Sequence, residues 1–170
     1  MRPEQLRFNY NSWGKPSLSE QQGGLGPRFN VSHSHELALY GFTRNREIGL
    51  DIEYMREDMA GEQIAERFFS RAEVETLRTL PASQQTVAFF NCWTRKEAYL
   101  KARGQGLTLP LDDFDVSLSP GQPAQLLSVK SGPQELSRWS LKELQPGQGY
   151  VAAVAVEGSD YQLRYMQWVE

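Results

Sequence analysis

One long helical pattern does most to limit the folds open to this chain. It opens at Pro81-Ala82-Ser83 and runs without a breaker to Gly104, a residue suited to the left-handed conformation that ends helices. Shorter helical patterns precede it, over Gly61 to Phe69 and from Ser70, whose side chain can cap a following helix with Glu73 at the reciprocal position. Strand-like segments lie on both sides of this block. Before it come Phe29–Ser32, Leu37–Thr43 and, after a turn at Asn45-Arg46, Glu47–Tyr54. After it come Phe114–Leu118, Gln125–Val129, Trp139–Glu143, Tyr150–Val156 and Leu163–Val169, punctuated by Pro120-Gly121, Gly132-Pro133 and Pro146-Gly147. The first 30 residues, broken by Gly14, Pro16, Gly23, Gly24, Gly26 and Pro27, are expected to run as a surface loop. Strands, a helical block and a further meander of strands define an α+β class.

Composition narrows the function classes. With 170 residues, 39% of them apolar, and a net charge of −3, the chain suits a soluble globular protein of one domain or two small lobes. That charge gives no general sign of a nucleic-acid or anionic-membrane partner. The longest apolar run, Val151–Val156, is far short of the roughly 18–20 residues that a membrane span needs. Met1-Arg2-Pro3-Glu4-Gln5 lacks the apolar core of a signal peptide. The single cysteine, Cys92, leaves no internal disulfide and no cysteine-based zinc site, which fits a reducing cytoplasm.

Three clusters could carry chemistry. In Gly49-Leu50-Asp51-Ile52-Glu53, residues two apart share a strand face, so Asp51 and Glu53 point one way while Leu50 and Ile52 point into the core. On the long helix, Trp93, Glu97 and Lys101 follow one another at intervals of four and form a stripe, with Lys96 beside it. The third cluster is Phe29-Asn30-Val31-Ser32-His33-Ser34-His35, where a hydroxyl and an imidazole just after a strand can donate to an anion. Each has a plain structural reading: a solvated strand face, a Glu97–Lys101 surface pair beside a core Trp93, and a polar loop. Should Glu97 approach Asp51 and Glu53, the picture changes. Each close carboxylate pair then costs on the order of 4 kcal/mol at an effective dielectric of 20. Such a triad needs a cation or raised carboxyl pKa values, and its hard oxygen ligands would suit Mg²⁺.

The order of the motifs adds what no single one supplies. Gly14-Lys15-Pro16, Phe29-Asn30-Val31-Ser32-His33-Ser34, Gly49-Leu50-Asp51-Ile52-Glu53, Phe68-Phe69-Ser70, Trp93-Thr94-Arg95-Lys96-Glu97-Ala98-Tyr99-Leu100-Lys101 and Gly104-Gln105-Gly106-Leu107 together resemble the Sfp-type 4′-phosphopantetheinyl transferases, over roughly residues 11–118. The resemblance implies transfer of the phosphopantetheine arm of coenzyme A to a serine of an apo acyl or peptidyl carrier protein, with release of adenosine 3′,5′-bisphosphate. It implies Asp51, Glu53 and Glu97 as Mg²⁺ ligands and Ser32 and His33 as binders of the 3′-phosphate. Lys15 would lie at the adenine end, Lys101 would contact the pyrophosphate, and Lys96 would support the same site. Glu97 and Lys101 become the candidate catalytic pair, with Glu97 as general base.

The implied fold is two similar lobes related by a pseudo-twofold axis, the protein acting as a monomer. Residues 1–46 would be a partial N-terminal lobe, because family members carry a longer stretch before the Gly-Lys-Pro motif, and residues 47–170 the lobe holding the Mg²⁺ site. Two other readings remain open: a non-catalytic or impaired relative that binds coenzyme A or carrier protein, and the short holo-acyl-carrier-protein-synthase form that assembles as a trimer.

Overall fold

The computed structural model describes residues 2–19, 26–56 and 59–168. In chain order the strands are β1 (Phe8–Tyr10), β2 (Pro16–Leu18), β3 (Arg28–Ser34), β4 (Leu37–Thr43), β5 (Ile48–Tyr54), β6 (Phe114–Val116), β7 (Leu126–Val129), β8 (Trp139–Leu144) and β9 (Tyr150–Glu157). The helices are α1 (Glu62–Phe68), α2 (Arg71–Thr79), α3 (Ala82–Arg103) and α4 (Pro133–Arg138). The α+β class holds.

The centre of the molecule is α3 laid across a three-stranded antiparallel sheet of order β5-β9-β8. The face of that sheet toward α3 brings Val151, Ala153 and Ala155 into the main core with Phe89, Phe90, Ala98, Tyr99 and Ala102. The other face carries Ile48, Leu50, Val154 and Val156, covered by Leu39 of β4 and by Leu144, Tyr161 and Leu163. The strand is therefore buried on both sides, and its alternation separates two cores rather than core from solvent. Strands β3 and β4 form a hairpin of their own beside β5.

The helix ends follow local rules. Ser70 Oγ accepts from the Glu73 amide at 3.2 Å while Glu73 Oε2 accepts from the Ser70 amide at 2.8 Å, the reciprocal cap expected for α2. Gly104 closes α3 at φ 64°, its amide bonded to the Leu100 carbonyl. Lys15 Nζ and Asn11 Nδ2 then reach the carbonyls of Ala102 and Gly104, at 3.0 and 2.6 Å, satisfying acceptors that a helix end leaves open.

Three expectations need correction. The first 30 residues are not loop throughout: β1 and β2 pair as a short hairpin. Its turn is held by Asn11, whose Oδ1 accepts from the amides of Trp13 and Lys15, with Gly14 at φ 83°. The strand expected at Leu163–Val169 does not form over 163–168. Tyr161 and Leu163 instead lay their side chains on the outer core, and the chain then leaves the surface with Met166 and Trp168 exposed. Gly132-Pro133, read as a turn, starts the short helix α4, where a first-turn proline loses no hydrogen bond. Gly23, Gly24 and Val169 lie outside the described residues.

Candidate active site

Gly49 is where β5 and α3 come closest. A Cβ there would stand 2.1 Å from the Ala102 amide nitrogen and 2.2 Å from the Ala98 carbonyl oxygen, so only hydrogen fits. This contact turns the helix-facing side of β5, with Asp51 and Glu53, toward the stripe on α3. From Ala88 to Leu100 every residue of the helix is buried except Trp93 and Glu97. The stripe of Trp93, Glu97 and Lys101 is thus the open seam along the enclosed part of the helix. Together with Val31, Ser32, His33, Asp51, Glu53, Phe68 and Leu111 it lines a cavity of about 590 Å³.

The charges in this cavity are unevenly matched. Lys101 Nζ donates to Asp51 Oδ1 at 2.6 Å and to Ser32 Oγ at 3.0 Å, and Ser32 Oγ donates to the same Asp51 oxygen at 2.9 Å. Asp51 is 4% exposed, yet its second oxygen, Oδ2, is buried with no hydrogen-bond partner. Burial pushes the Asp51 carboxyl above its ordinary value; Lys101 and Ser32 pull it back and Glu53 adds to the rise. Glu97 is raised too, first by burial and then by Asp51, with Lys101 opposing. An orphaned carboxylate oxygen beside two further carboxylates leaves negative charge that one lysine does not neutralise.

Three carboxylates on one cavity offer the hard oxygen donors that suit a divalent cation of the Mg²⁺ kind. As they stand, no three His, Cys, Asp or Glu side chains among the described residues form a group that could hold a metal ion. An ion at Asp51 would complete its shell with water and ligand oxygens, as Mg²⁺ does and as a dedicated zinc site does not.

The other residues named from sequence divide. Ser32 is buried in the cavity wall and His33 is exposed at its rim. Lys15 lines an adjoining cavity of about 230 Å³ with Trp13, Pro16, Asn30, Glu97, Lys101 and others, its ammonium 2.8 Å from Glu47 Oε2. Lys96 does not belong here. It is 1% exposed and pairs with the buried Glu73 at 2.8 Å, also donating to the carbonyls of Leu111 and Phe114. One position before Glu97 on a helix is about 100° around it, which turns Lys96 into the core. Cys92 is fully enclosed, and burial holds its thiol well above the ordinary range, so it is no nucleophile.

Sequence reasoning placed Asn30 and Ser34 in the third cluster but gave them no role. With Ser32 they form one face of β3, and all three side chains bond to β5. Asn30 Oδ1 accepts from the Leu50 amide at 2.9 Å, and Ser34 Oγ accepts from the Tyr54 amide at 3.0 Å while donating to Glu53 Oε2 at 2.9 Å. The alternation Asn-x-Ser-x-Ser was the available signal.

A strand and a central helix set acidic side chains and a lysine around one cavity, and comparison with known proteins supplies the class. The family model described as the 4′-phosphopantetheinyl transferase superfamily matches residues 47–155, and the chain belongs to that superfamily. It is 43% identical over 166 residues to the 4′-phosphopantetheinyl transferase HetI of Nostoc sp. (strain PCC 7120), covering 98% of this chain and 67% of that protein. It is 33% identical to the 4′-phosphopantetheinyl transferase Sfp of Bacillus subtilis, covering 92% of this chain and 65% of Sfp. Among solved structures, the holo-[acyl-carrier-protein] synthase of Thermotoga maritima aligns with 66% of this chain and 62% of its own, at 20% identity and a TM-score of 0.49. No helix among the described residues is long and apolar enough to cross a membrane.

Proposed function

We propose that this chain transfers the 4′-phosphopantetheine group of coenzyme A to a serine hydroxyl of an apo carrier protein, acting as a monomer with Mg²⁺ and releasing adenosine 3′,5′-bisphosphate. One observation carries the reading: Asp51, whose buried Oδ2 has no hydrogen-bond partner, lines one cavity together with Glu53, Glu97 and Lys101. Asp51, Glu53 and Glu97 would hold Mg²⁺, which when bound supplies positive charge to the pyrophosphate oxygens. The adjoining cavity beside Lys15 would take the nucleotide end of coenzyme A, with Ser32 and His33 toward its 3′-phosphate. Family membership and the named activities of HetI and Sfp support this assignment. The family match beginning at residue 47 also supports a division in which residues 1–46 belong to a first lobe and 47–170 form the lobe of the acidic site.

The chain's own groups suit the chemistry. The carrier serine attacks the phosphorus that bears the pantetheine arm, the bond from that phosphorus to the adenosine phosphate oxygen breaks, and the serine proton must leave. Glu97, which lines the cavity beside Lys101, is the group that would take that proton. Lys101 is placed to meet the charge that develops on the phosphate oxygens, exchanging part of its contact with Asp51 for it.

The test is intact-mass spectrometry of an apo carrier protein after incubation with this chain, coenzyme A and Mg²⁺. A gain of one phosphopantetheine group, lost with chelator and with Glu97→Ala, is the expected result. No gain, with the chain folded and the carrier competent toward another transferase, would sink the proposal and leave a binding relative.

A further inference from the structure

We propose that Ser34 is a positioning residue for the acidic site: its hydroxyl fixes the Glu53 carboxylate in the orientation that receives the cation. The inference rests on the metal reading above and goes beyond it to a residue outside the carboxylates themselves. The hairpin β3–β4 and the sheet holding β5 are separate sheets. Among the described residues, the hydrogen bonds joining β3 to β5 involve side chains on one face of β3, spaced two apart. Asp51 and Glu53 are also two apart, so hydroxyls and carboxylates share one pitch and meet one to one. Ser32 Oγ bonds to Asp51 Oδ1 and Ser34 Oγ to Glu53 Oε2, each at 2.9 Å.

The Ser34 hydroxyl has its directions set. It accepts from the Tyr54 amide at 3.0 Å, and this leaves its single proton for Glu53. A backbone amide thereby orients a hydroxyl, and the hydroxyl orients a carboxylate that its neighbour Asp51 would otherwise repel. Asn30 makes the same kind of stitch to the Leu50 amide without touching a carboxylate, so it serves as an internal control for a purely structural role.

Mn²⁺ binding, read by the paramagnetic resonance of the free ion with and without coenzyme A, tests this on the whole chain. Ser34→Ala should weaken Mn²⁺ binding about tenfold, the size of effect typical for groups that orient metal ligands, and Ser34→Thr should restore it. Asn30→Ala, read without coenzyme A because Asn30 lines the adjoining cavity, should lower the thermal midpoint and leave the Mn²⁺ affinity of the folded protein unchanged. In a Glu53→Gln background, Ser34→Ala should have no further effect. If Ser34→Ala does not fold, Ser34→Cys keeps the volume with a much weaker donor and should show the same loss. Unchanged affinity in the serine variant, an equal loss in Asn30→Ala, or additive losses with Glu53→Gln would each overturn the inference while leaving the metal reading intact. A wild-type chain that binds no Mn²⁺ at all overturns both.

Discussion

Two lysines five residues apart on α3 each meet a buried carboxylate, and their surroundings make them opposites. Lys96 pairs with Glu73, and both are closed from solvent. Glu73 also accepts from the amides of Ser70 and Val116, and Lys96 donates to two carbonyls and lies 4.4 Å from the Phe114 ring centroid. That node binds α2, α3 and β6 into one unit. Lys101 pairs with Asp51, but the lysine side chain is 29% exposed, one Asp51 oxygen has no partner, and two more carboxylates border the same cavity. A satisfied ion pair has nothing left to bind with. An unsatisfied one at a cavity wall does, and the difference separates a structural lysine from a functional one.

The largest effect that would break this comparison is at the closed node. Lys96→Met should destabilise the fold by about 3–5 kcal/mol, since it leaves the Glu73 charge buried alone, and Glu73→Gln added to it should recover part of that loss. Denaturant titration of the single and double variants measures it. Gly49→Ala should cost about 3 kcal/mol or more, because the new methyl meets helix backbone. It should also weaken cation binding at Asp51 in whatever fraction remains folded.

Lys101→Met should be milder for stability, about 1–2 kcal/mol at neutral pH, and severe for transfer, about 10²–10³-fold. The pH dependence has a definite sign. A carboxyl whose folded pKa is raised contributes stability that is present at low pH and lost as pH rises through that value. Removing Lys101 raises Asp51 further, so the stability cost of the variant should vanish in acid and grow toward neutrality. Urea midpoints from acid to neutral pH check this.

Smallest and opposite in direction is Glu97→Gln. It removes a partly buried carboxylate that Asp51 and Glu53 repel, and should stabilise the chain by about 1 kcal/mol at neutral pH while abolishing transfer. The wild-type transfer rate should rise with pH through a limb set by Glu97. A rate that stayed flat across that limb would remove Glu97 from the role of base.

The amino-acid sequence by itself determined most of the elements and most of the residues gathered at the candidate site. The helix Ala82–Arg103 with its Gly104 cap, the Ser70–Glu73 cap and the strand Leu37–Thr43 follow from rules that act within a few residues: periodicity, capping and turn chemistry. The same local order made Asp51 and Glu53 share a face and put Glu97 and Lys101 on one stripe. Folding decided which stripe opened to the cavity and which turned inward, and so moved Lys96 from candidate ligand to core. It decided that Tyr161 and Leu163 would cover an apolar face rather than the tail pair as a strand, and that β3 would join β5 through Asn30, Ser32 and Ser34. Helix and strand periodicity specify a face without naming what will stand opposite it. That is settled by long-range packing, here by the space that Gly49 leaves for α3.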